Sequence, residues 1–236
     1  NAARETLRVA DIIEEMLRGM LTVIVKDDRE LAARLSKHDD VVDKLYTAIK
    51  LYLAQAPRDA LSERESRRLA DIVSFTINLE QVGDIIERIL QDIVDRKIDK
   101  GRRFSEAGLA EIADLHGRLV ANLRLATSVF LNGDDKSARE LLAQKVLFRD
   151  LERSYAESHL ARIAGNTIES IETSSLHLDL ISDLRRVNSH FCTVAYPILE
   201  DAGVLARTRL LELPPDDDPL LAERRARADA DRPRPA

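Results

Sequence analysis

The sequence predicts an all-α protein built as two tandem antiparallel three-helix bundles with a disordered C-terminal tail. Apolar residues recur every three or four positions through most of the chain, which is the spacing of amphipathic helices. Aromatic residues make up 4% of the 236 residues and Trp is absent, so Leu, Ile, Val and Ala must build the core. The apolar pattern of the first half also returns in the second half, which indicates an internal repeat.

Three helices are predicted in the first half. The first spans about 3–26 and the second about 28–55, and an aspartate in the turn between them can cap the second helix. After a break containing Pro57, a third helix is predicted to about Lys97. Ser62 with Glu65 forms the capping box expected at its start.

Three more helices are predicted in the second half. The fourth spans about 105–131 and ends at Gly133, a residue suited to a left-handed stop. The fifth spans about 134–163. The sixth begins near Asn166 and continues past Pro197, which we expect to kink or shorten it.

These elements divide the chain into a first repeat over 1–100, a second repeat over 101–213 and a tail over 214–236. The tail holds five of the seven prolines and alternating charges, a composition typical of disorder. Because the chain does not begin with Met, we expect it to be part of a longer protein.

The repeat is defined by nearly constant shifts in residue number. A shift of 106 carries the first two helices and their turn onto the fourth and fifth, and a shift of 105 carries the third helix onto the sixth. One shift that holds across two helices and the intervening turn is stronger evidence than a match between single helices. The matched positions include Val9 with Leu115, Ile13 with Leu119, Leu17 with Leu123, Val25 with Leu131, Leu79 with Leu184 and Val82 with Val187.

Composition and motifs argue against several function classes. The net charge of −6 argues against a nucleic-acid partner, because phosphate contacts need clustered Lys and Arg. The single cysteine, Cys192, leaves no intramolecular disulfide and is expected to pack as a small apolar residue. No Glu is followed three residues later by His, as a di-iron bundle enzyme would need. With no Gly-rich phosphate loop or nucleophile elbow either, we expect no enzymatic activity.

Three segments resemble a known family. Residues 79–89 (LEQVGDIIERI) look like the third-helix motif of PhoU proteins, in which Glu and Asp stand four positions apart around a glycine. Residues 184–190 and 158–165 are similar to the PhoU-like C-terminal region of bacterial sodium/phosphate cotransporters. The resemblance extends over roughly residues 5–200.

The resemblance implies a non-enzymatic adapter. PhoU proteins couple phosphate supply to transport and signalling, and in the cotransporters this region follows a membrane domain. The resemblance therefore implies a regulatory domain of a sodium-dependent phosphate transporter. This domain would lie on the cytoplasmic side of the inner membrane and help control phosphate uptake. The partners would be the membrane domain of the same polypeptide or phosphate-signalling proteins, and a homodimer stays open. The alternatives are a stand-alone PhoU-type phosphate-signalling adapter and a helical scaffold without a ligand.

A metal site is predicted in the first repeat. Glu80 and Asp84 stand four positions apart, so both carboxylates project from one face of the third helix. Asp39 and Asp43 supply further oxygens if the second helix packs alongside, as does the neighbouring Asp40. Oxygen ligands at this spacing suit a divalent or iron-type ion, and some PhoU proteins bind metal clusters through such acidic motifs.

The sequence also offers explanations without metal. An ion pair between Asp84 and Arg88, one turn apart, would account for that carboxylate. The positions that match Glu80 and Asp84 in the second repeat are Arg185 and Ser189, which argues against a metal there.

The five histidines form no paired ligand motif. We expect His159 and His190 to meet where the fifth and sixth helices pack, in a polar cluster with Asp183. A lone helix histidine is more often a hydrogen-bonded structural residue than a ligand, so this cluster is expected to be structural.

Overall fold

The computed structural model describes residues 2–55 and 62–203, and these residues form helices and turns with no strand among them. The all-α prediction is therefore confirmed. None of the described helices is both long enough and apolar enough to cross a membrane. A π-helical turn over Val94–Ile98 extends the third helix. The α-helices are α1 (Ala2–Lys26), α2 (Arg29–Ala54), α3 (Glu63–Ile93), α4 (Glu106–Asn132), α5 (Asp135–Ala164), α6 (Ile168–Glu172), α7 (Ser174–Cys192) and α8 (Ala195–Asp201).

The helices pack as two three-helix bundles. In the first, α1, α2 and α3 contact one another, and in the second α4, α5 and α7 do the same, while α6 and α8 pack against α5. The repeat is visible in burial: Leu17 and its counterpart Leu123 are both buried, whereas Val25 and its counterpart Leu131 are both 52% exposed. The predicted tail over 214–236 lies outside the described residues.

Two antiparallel helix pairs join the bundles. Arg88 Nη2 of α3 lies 2.7 Å from Asp183 Oδ1 of α7, and His190 Nδ1 is 2.9 Å from Asn78 Oδ1. As residue numbers rise along α3 they fall along α7, so the two helices run antiparallel. The helices α1 and α4 form the second such pair, in which His116 Nε2 donates to the Leu17 carbonyl at 2.7 Å. This arrangement leaves α2 and α5 on the outer edges of the two bundles.

Local start and stop signals act as predicted. The Asp28 carboxylate caps α2 by accepting from the backbone N–H of Leu31, and Ser62 with Glu65 forms the capping box of α3. The fourth helix ends at Gly133, whose φ of 63° lies in the left-handed region.

The prediction of one continuous sixth helix is wrong. The chain forms α6, α7 and α8 instead, with breaks at Thr173 and at 193–194. Thr173 ends one helix and precedes the next, and its hydroxyl donates to the Glu169 carbonyl. Pro197 lies in the first turn of α8, where its missing N–H removes no helical hydrogen bond.

Candidate metal centre

Three aspartates meet where α2 packs against α3. Asp39 and Asp43 stand one turn apart on α2, and Asp84 faces them from α3. One carboxylate oxygen from each residue lies within 4.8 Å of the others. The structure therefore brings together three of the four metal ligands that the sequence predicts.

Asp39 is the buried member of the group. Its residue is 6% exposed, and Oδ1 has no hydrogen-bond partner among the described residues. Burial, reinforced by the nearby carboxylates Glu87, Asp43, Asp84 and Glu80, raises the pKa of Asp39 to about 7. A buried charge without a partner is costly, and an adjacent cation would remove that cost.

Gly83 makes room for the Asp39 carboxylate. A β-carbon at position 83 would lie less than 3.0 Å from Asp39 Oδ1 and 3.4 Å from Ile13 Cδ1. The glycine thus lets α3 approach α2 closely enough for the buried oxygen to face the other carboxylates. The sequence motif contains this glycine, but only the packing of α2 against α3 explains why a glycine is needed there.

Glu80 lies at the edge of the group. Burial raises its pKa, and so do the charges of Asp84 and Asp43, which places it in the same electrostatic cluster although it is outside the tight triad. Burial and Asp43 likewise raise the pKa of Asp84, against the opposing charge of Arg88. Asp40 is exposed and takes no part in the triad.

The ion pair proposed as an alternative for Asp84 is not formed. The Arg88 guanidinium turns to the bundle interface, where it lies 2.7 Å from Asp183. Asp183 also contacts Arg186 at 3.2 Å. Asp84 therefore remains oriented toward Asp39 and Asp43.

The residues present fit a hard or borderline cation. Carboxylates from two helices offer oxygen ligands, and one of the oxygens is buried and unpaired. Asp39, Asp43 and Asp84 would hold the ion, and the charge of Glu80 would add to the negative potential around it. An ion bound there would neutralise several carboxylates that repel one another and would cross-link α2 to α3.

The histidine cluster differs from the prediction. His159 does not meet His190: its ring stacks on His177 with centroids 4.5 Å apart, and His190 contacts Asn78. The expected partner Asp183 belongs to the bundle interface, as described above. The geometry of the interhelical packing decides these contacts, and no sequence motif marks them.

A buried polar network surrounds His177. Its Nε2 lies 3.1 Å from Oε2 of Glu111. Each of the two Glu111 carboxylate oxygens also accepts one hydrogen bond of 2.8 Å from the Arg162 guanidinium. Burial lowers the pKa of His177 to about 4. Glu111 of α4 and Arg162 of α5 neutralise each other's charge, and His177 belongs to α7. The network therefore connects three helices of the second bundle, and we assign it a structural role.

The prediction for Cys192 is confirmed. The thiol is buried and unpaired, and its Sγ donates to the Leu141 carbonyl at 3.3 Å. Burial raises the pKa of Cys192 to about 12, which keeps the thiol protonated.

Comparison with known proteins identifies a family domain in the first bundle and several longer relatives. Residues 6–93 match the family described as the PhoU domain. The chain is 50% identical over 200 residues to the "Putative inorganic phosphate export protein YjbB" of Salmonella typhimurium, a match that covers 85% of this chain and 37% of that protein. The protein of the same name from Escherichia coli K12 is 48% identical with the same coverage. The chain thus spans little more than a third of the length of the curated relatives it matches.

Solved structures show the same fold. The crystal structure of PhoU from Pseudomonas aeruginosa superposes with a TM-score of 0.78 at 14% identity, covering 86% of this chain and 96% of that one. The phosphate transport system regulatory protein PhoU from Streptococcus pneumoniae gives 0.74 at 17% identity, covering 88% and 96%. At these identities the likeness concerns the fold. The predicted PhoU-like fold is confirmed.

Proposed function

Because the chain carries a PhoU domain at residues 6–93 within a PhoU-like fold, we propose that it is a non-catalytic regulatory region of a phosphate-transport protein. The observation that carries this proposal is the 50% identity to a relative named for phosphate export, of which the chain spans 37%. The remaining length of such a protein leaves ample room for a membrane domain. In this proposal the chain lies on the cytoplasmic side of the inner membrane and contacts that domain.

The regulated process in this proposal is export and not uptake. The resemblance described above predicts control of uptake by a sodium-dependent carrier, whereas the relatives are named for export. We therefore propose export of inorganic phosphate as the regulated process. Coupling to sodium rests on the resemblance of residues 184–190 and 158–165 to the cotransporters and stays a prediction.

Regulation in this proposal acts through the contact between α2 and α3. With a cation bound, Asp39 and Asp43 of α2 are held against Asp84 of α3. Without it, these carboxylates repel one another across the same contact. A partner that binds one arrangement better than the other would shift the transporter between states, by an amount set by that difference in affinity.

The second candidate is a stand-alone PhoU-type adapter. The observation that favours it is the 96% coverage of the Pseudomonas aeruginosa PhoU chain, since the complete fold of that protein is present here. This candidate predicts the same metal centre and a separate polypeptide that binds transport or signalling proteins.

Cell fractionation separates the two candidates. An antibody against this chain is used to probe membrane and soluble fractions of the source cells. A membrane-bound band well above 26.6 kDa supports the regulatory region of a transporter. A band near 26.6 kDa in the soluble fraction contradicts it and favours the stand-alone adapter.

A further inference from the structure

A cavity lies between the two bundles, where α3 meets α4 and α8. Its volume is about 80 Å³. That is roughly half the volume of a cavity that takes up benzene (about 150 Å³), so it suits a single aliphatic side chain. Most of its wall is apolar and comes from both bundles: Phe75, Val129, Phe130, Val194, Pro197 and Ile198.

Contacts between α3 and α4 fix the wall of this cavity. The rings of Phe75 and Phe130 stack with their centroids 4.7 Å apart. The Arg68 guanidinium lies over the Phe130 ring, 4.4 Å from its centroid, and Nη1 donates to the Phe130 carbonyl at 2.8 Å. The cavity is therefore a feature of the junction between the bundles.

Asp71 gives the cavity a carboxylate. It lines the cavity and also a wider groove beside it, to which Asp201 of α8 belongs. Burial raises the pKa of Asp71, as does the charge of Asp201, while Arg68 opposes both. Asp201 pairs with Arg67, but no residue that the structure describes forms a hydrogen bond or an ion pair with Asp71. The site thus combines space for an aliphatic side chain with a half-buried carboxylate that a cation would stabilise.

The segment that follows α8 has the matching chemistry. Residues 204–213 (VLARTRLLEL) lie outside the described residues and contain four leucines and two arginines. Arg209 directly precedes Leu210 and Leu211, so a cation stands next to two aliphatic side chains. We propose that this segment docks in the cavity of its own chain, with Leu210 or Leu211 inside it and Arg209 paired with Asp71.

The chain leaves α8 close enough to the cavity for this docking. Ile198 lines the cavity and Asp201 lines the groove, about 4.5 Å further along the helix axis. The last described residue, Gly203, has a φ of 69°, a left-handed conformation that ends the helix and turns the chain. From there to Leu210 an extended chain spans up to about 23 Å, so the segment can return along α8.

Docking would bridge both bundles. The aliphatic anchor would contact α4 and α8, and the cation would contact α3. Leu131, which is 52% exposed and lines the groove, offers a further apolar contact to the second leucine. Burial of these apolar groups provides the driving force, and the ion pair with Asp71 selects a segment that carries a cation.

Limited trypsin digestion of the full chain tests the docking. Trypsin cleaves after arginine, and cleavage tracks the population of the open form. Arg209 lies in the proposed segment, whereas Arg225 lies beyond Pro214 and Pro215 and serves as an internal reference. Each rate is divided by the rate for the same bond in a synthetic peptide of residues 204–230. We expect this ratio to be at least tenfold lower after Arg209 than after Arg225.

Two variants of α3 should release the segment. Asp71→Asn removes the charge that pairs with Arg209, and Ser74→Phe fills the cavity from an exposed position in its wall. Each should raise the cleavage rate after Arg209 about tenfold, as loss of one charge-assisted hydrogen bond or one apolar anchor implies. Gln81→Phe is the matched control, because Gln81 is exposed on the same helix outside the cavity, and it should behave like the parent protein.

Three results would overturn the proposal. The first is an absence of protection after Arg209 in the parent protein. The second is equal protection in the parent, Asp71→Asn and Ser74→Phe, which would mean that the segment is protected without using the cavity. The third is protection that increases with protein concentration, which would mean that the segment of a second copy binds there. None of these results depends on bound metal or on whether the chain regulates a transporter.

Discussion

Gly83 of α3 lies directly against the carboxylate of Asp39 on α2, with no space for a β-carbon between them. The contact buries Asp39 Oδ1 without a hydrogen-bond partner among the described residues. It also turns the carboxylate toward Asp43 and Asp84. The metal centre therefore requires glycine at position 83 as well as the three aspartates.

Gly83→Ala should disrupt the metal centre. The added methyl group would displace Asp39 or separate α2 from α3, because it would lie less than 3.0 Å from Asp39 Oδ1. We expect a destabilisation of about 1–3 kcal/mol, as for overpacked cores, and weaker metal binding. Denaturant unfolding and metal titration measure the two effects.

Gly117→Ala is the matched control for that variant. A β-carbon at position 117 of α4 would meet no atom within 4 Å. Replacing an exposed helical glycine by alanine should stabilise the protein by about 0.5–1 kcal/mol. If both variants changed stability equally, the close contact at Gly83 would not have the role described here.

Asp39→Asn should stabilise the metal-free protein while removing its response to metal. Since the pKa of Asp39 is raised from 3.8 to about 7, its ionisation opposes folding. The penalty is absent below pH 3.8, grows as pH rises and is complete above pH 7. We expect a gain of roughly 2 kcal/mol at pH 8, less than the full shift implies because neighbouring carboxylates titrate with it.

Thermal unfolding of Asp39→Asn at pH 8, with and without a divalent ion, provides the measurement. Asp40→Asn serves as control, because Asp40 is exposed on the same helix. The parent protein and Asp40→Asn should melt at higher temperature with metal, and Asp39→Asn should not. A metal-dependent increase of equal size in all three would argue against Asp39 as a ligand.

Arg162→Met should destabilise the second bundle strongly. Arg162 and Glu111 are 14% and 10% exposed at their side chains and meet at 2.8 Å. Removing one partner leaves a buried charge unpaired, which costs about 3–5 kcal/mol. The double variant Glu111→Gln with Arg162→Met should recover part of that loss in urea unfolding. No recovery would show that the pair is not coupled.

His177 should make the protein less stable in acid. Burial lowers its pKa from 6.5 to about 4, so the unfolded chain takes up a proton at a higher pH than the folded chain does. The free energy of unfolding is therefore unaffected by His177 above pH 6.5. It decreases as pH falls from 6.5 toward 4, by up to about 3 kcal/mol. His177→Gln should flatten the pH dependence of the melting temperature over this range; an unchanged slope would contradict the assignment.

Local signals in the sequence were enough to predict most helix ends. The capping residues of α2 and α3 and the left-handed Gly133 act through neighbours along the chain, so a linear reading finds them. The break at Thr173 involves neither glycine nor proline, so the sequence carries no local stop signal there.

The site was predicted less completely, because its properties depend on packing between distant segments. The i and i+4 spacing of Glu80 and Asp84 indicated a shared face, but burial of Asp39 depends on its contact with Gly83. The pairing of His159 with His177 likewise follows from how α5 meets α7.

The central claim is that this chain regulates phosphate transport, and release of radiolabelled phosphate from the source cells tests it most directly. Cells that lack codons 2–203 in frame, and cells that carry Asp39→Asn, are compared with the parent after preloading with phosphate. If the chain regulates phosphate transport, the deletion strain should release phosphate at a changed rate, and Asp39→Asn should change that rate in the same direction. Release at the parental rate in both strains would contradict it.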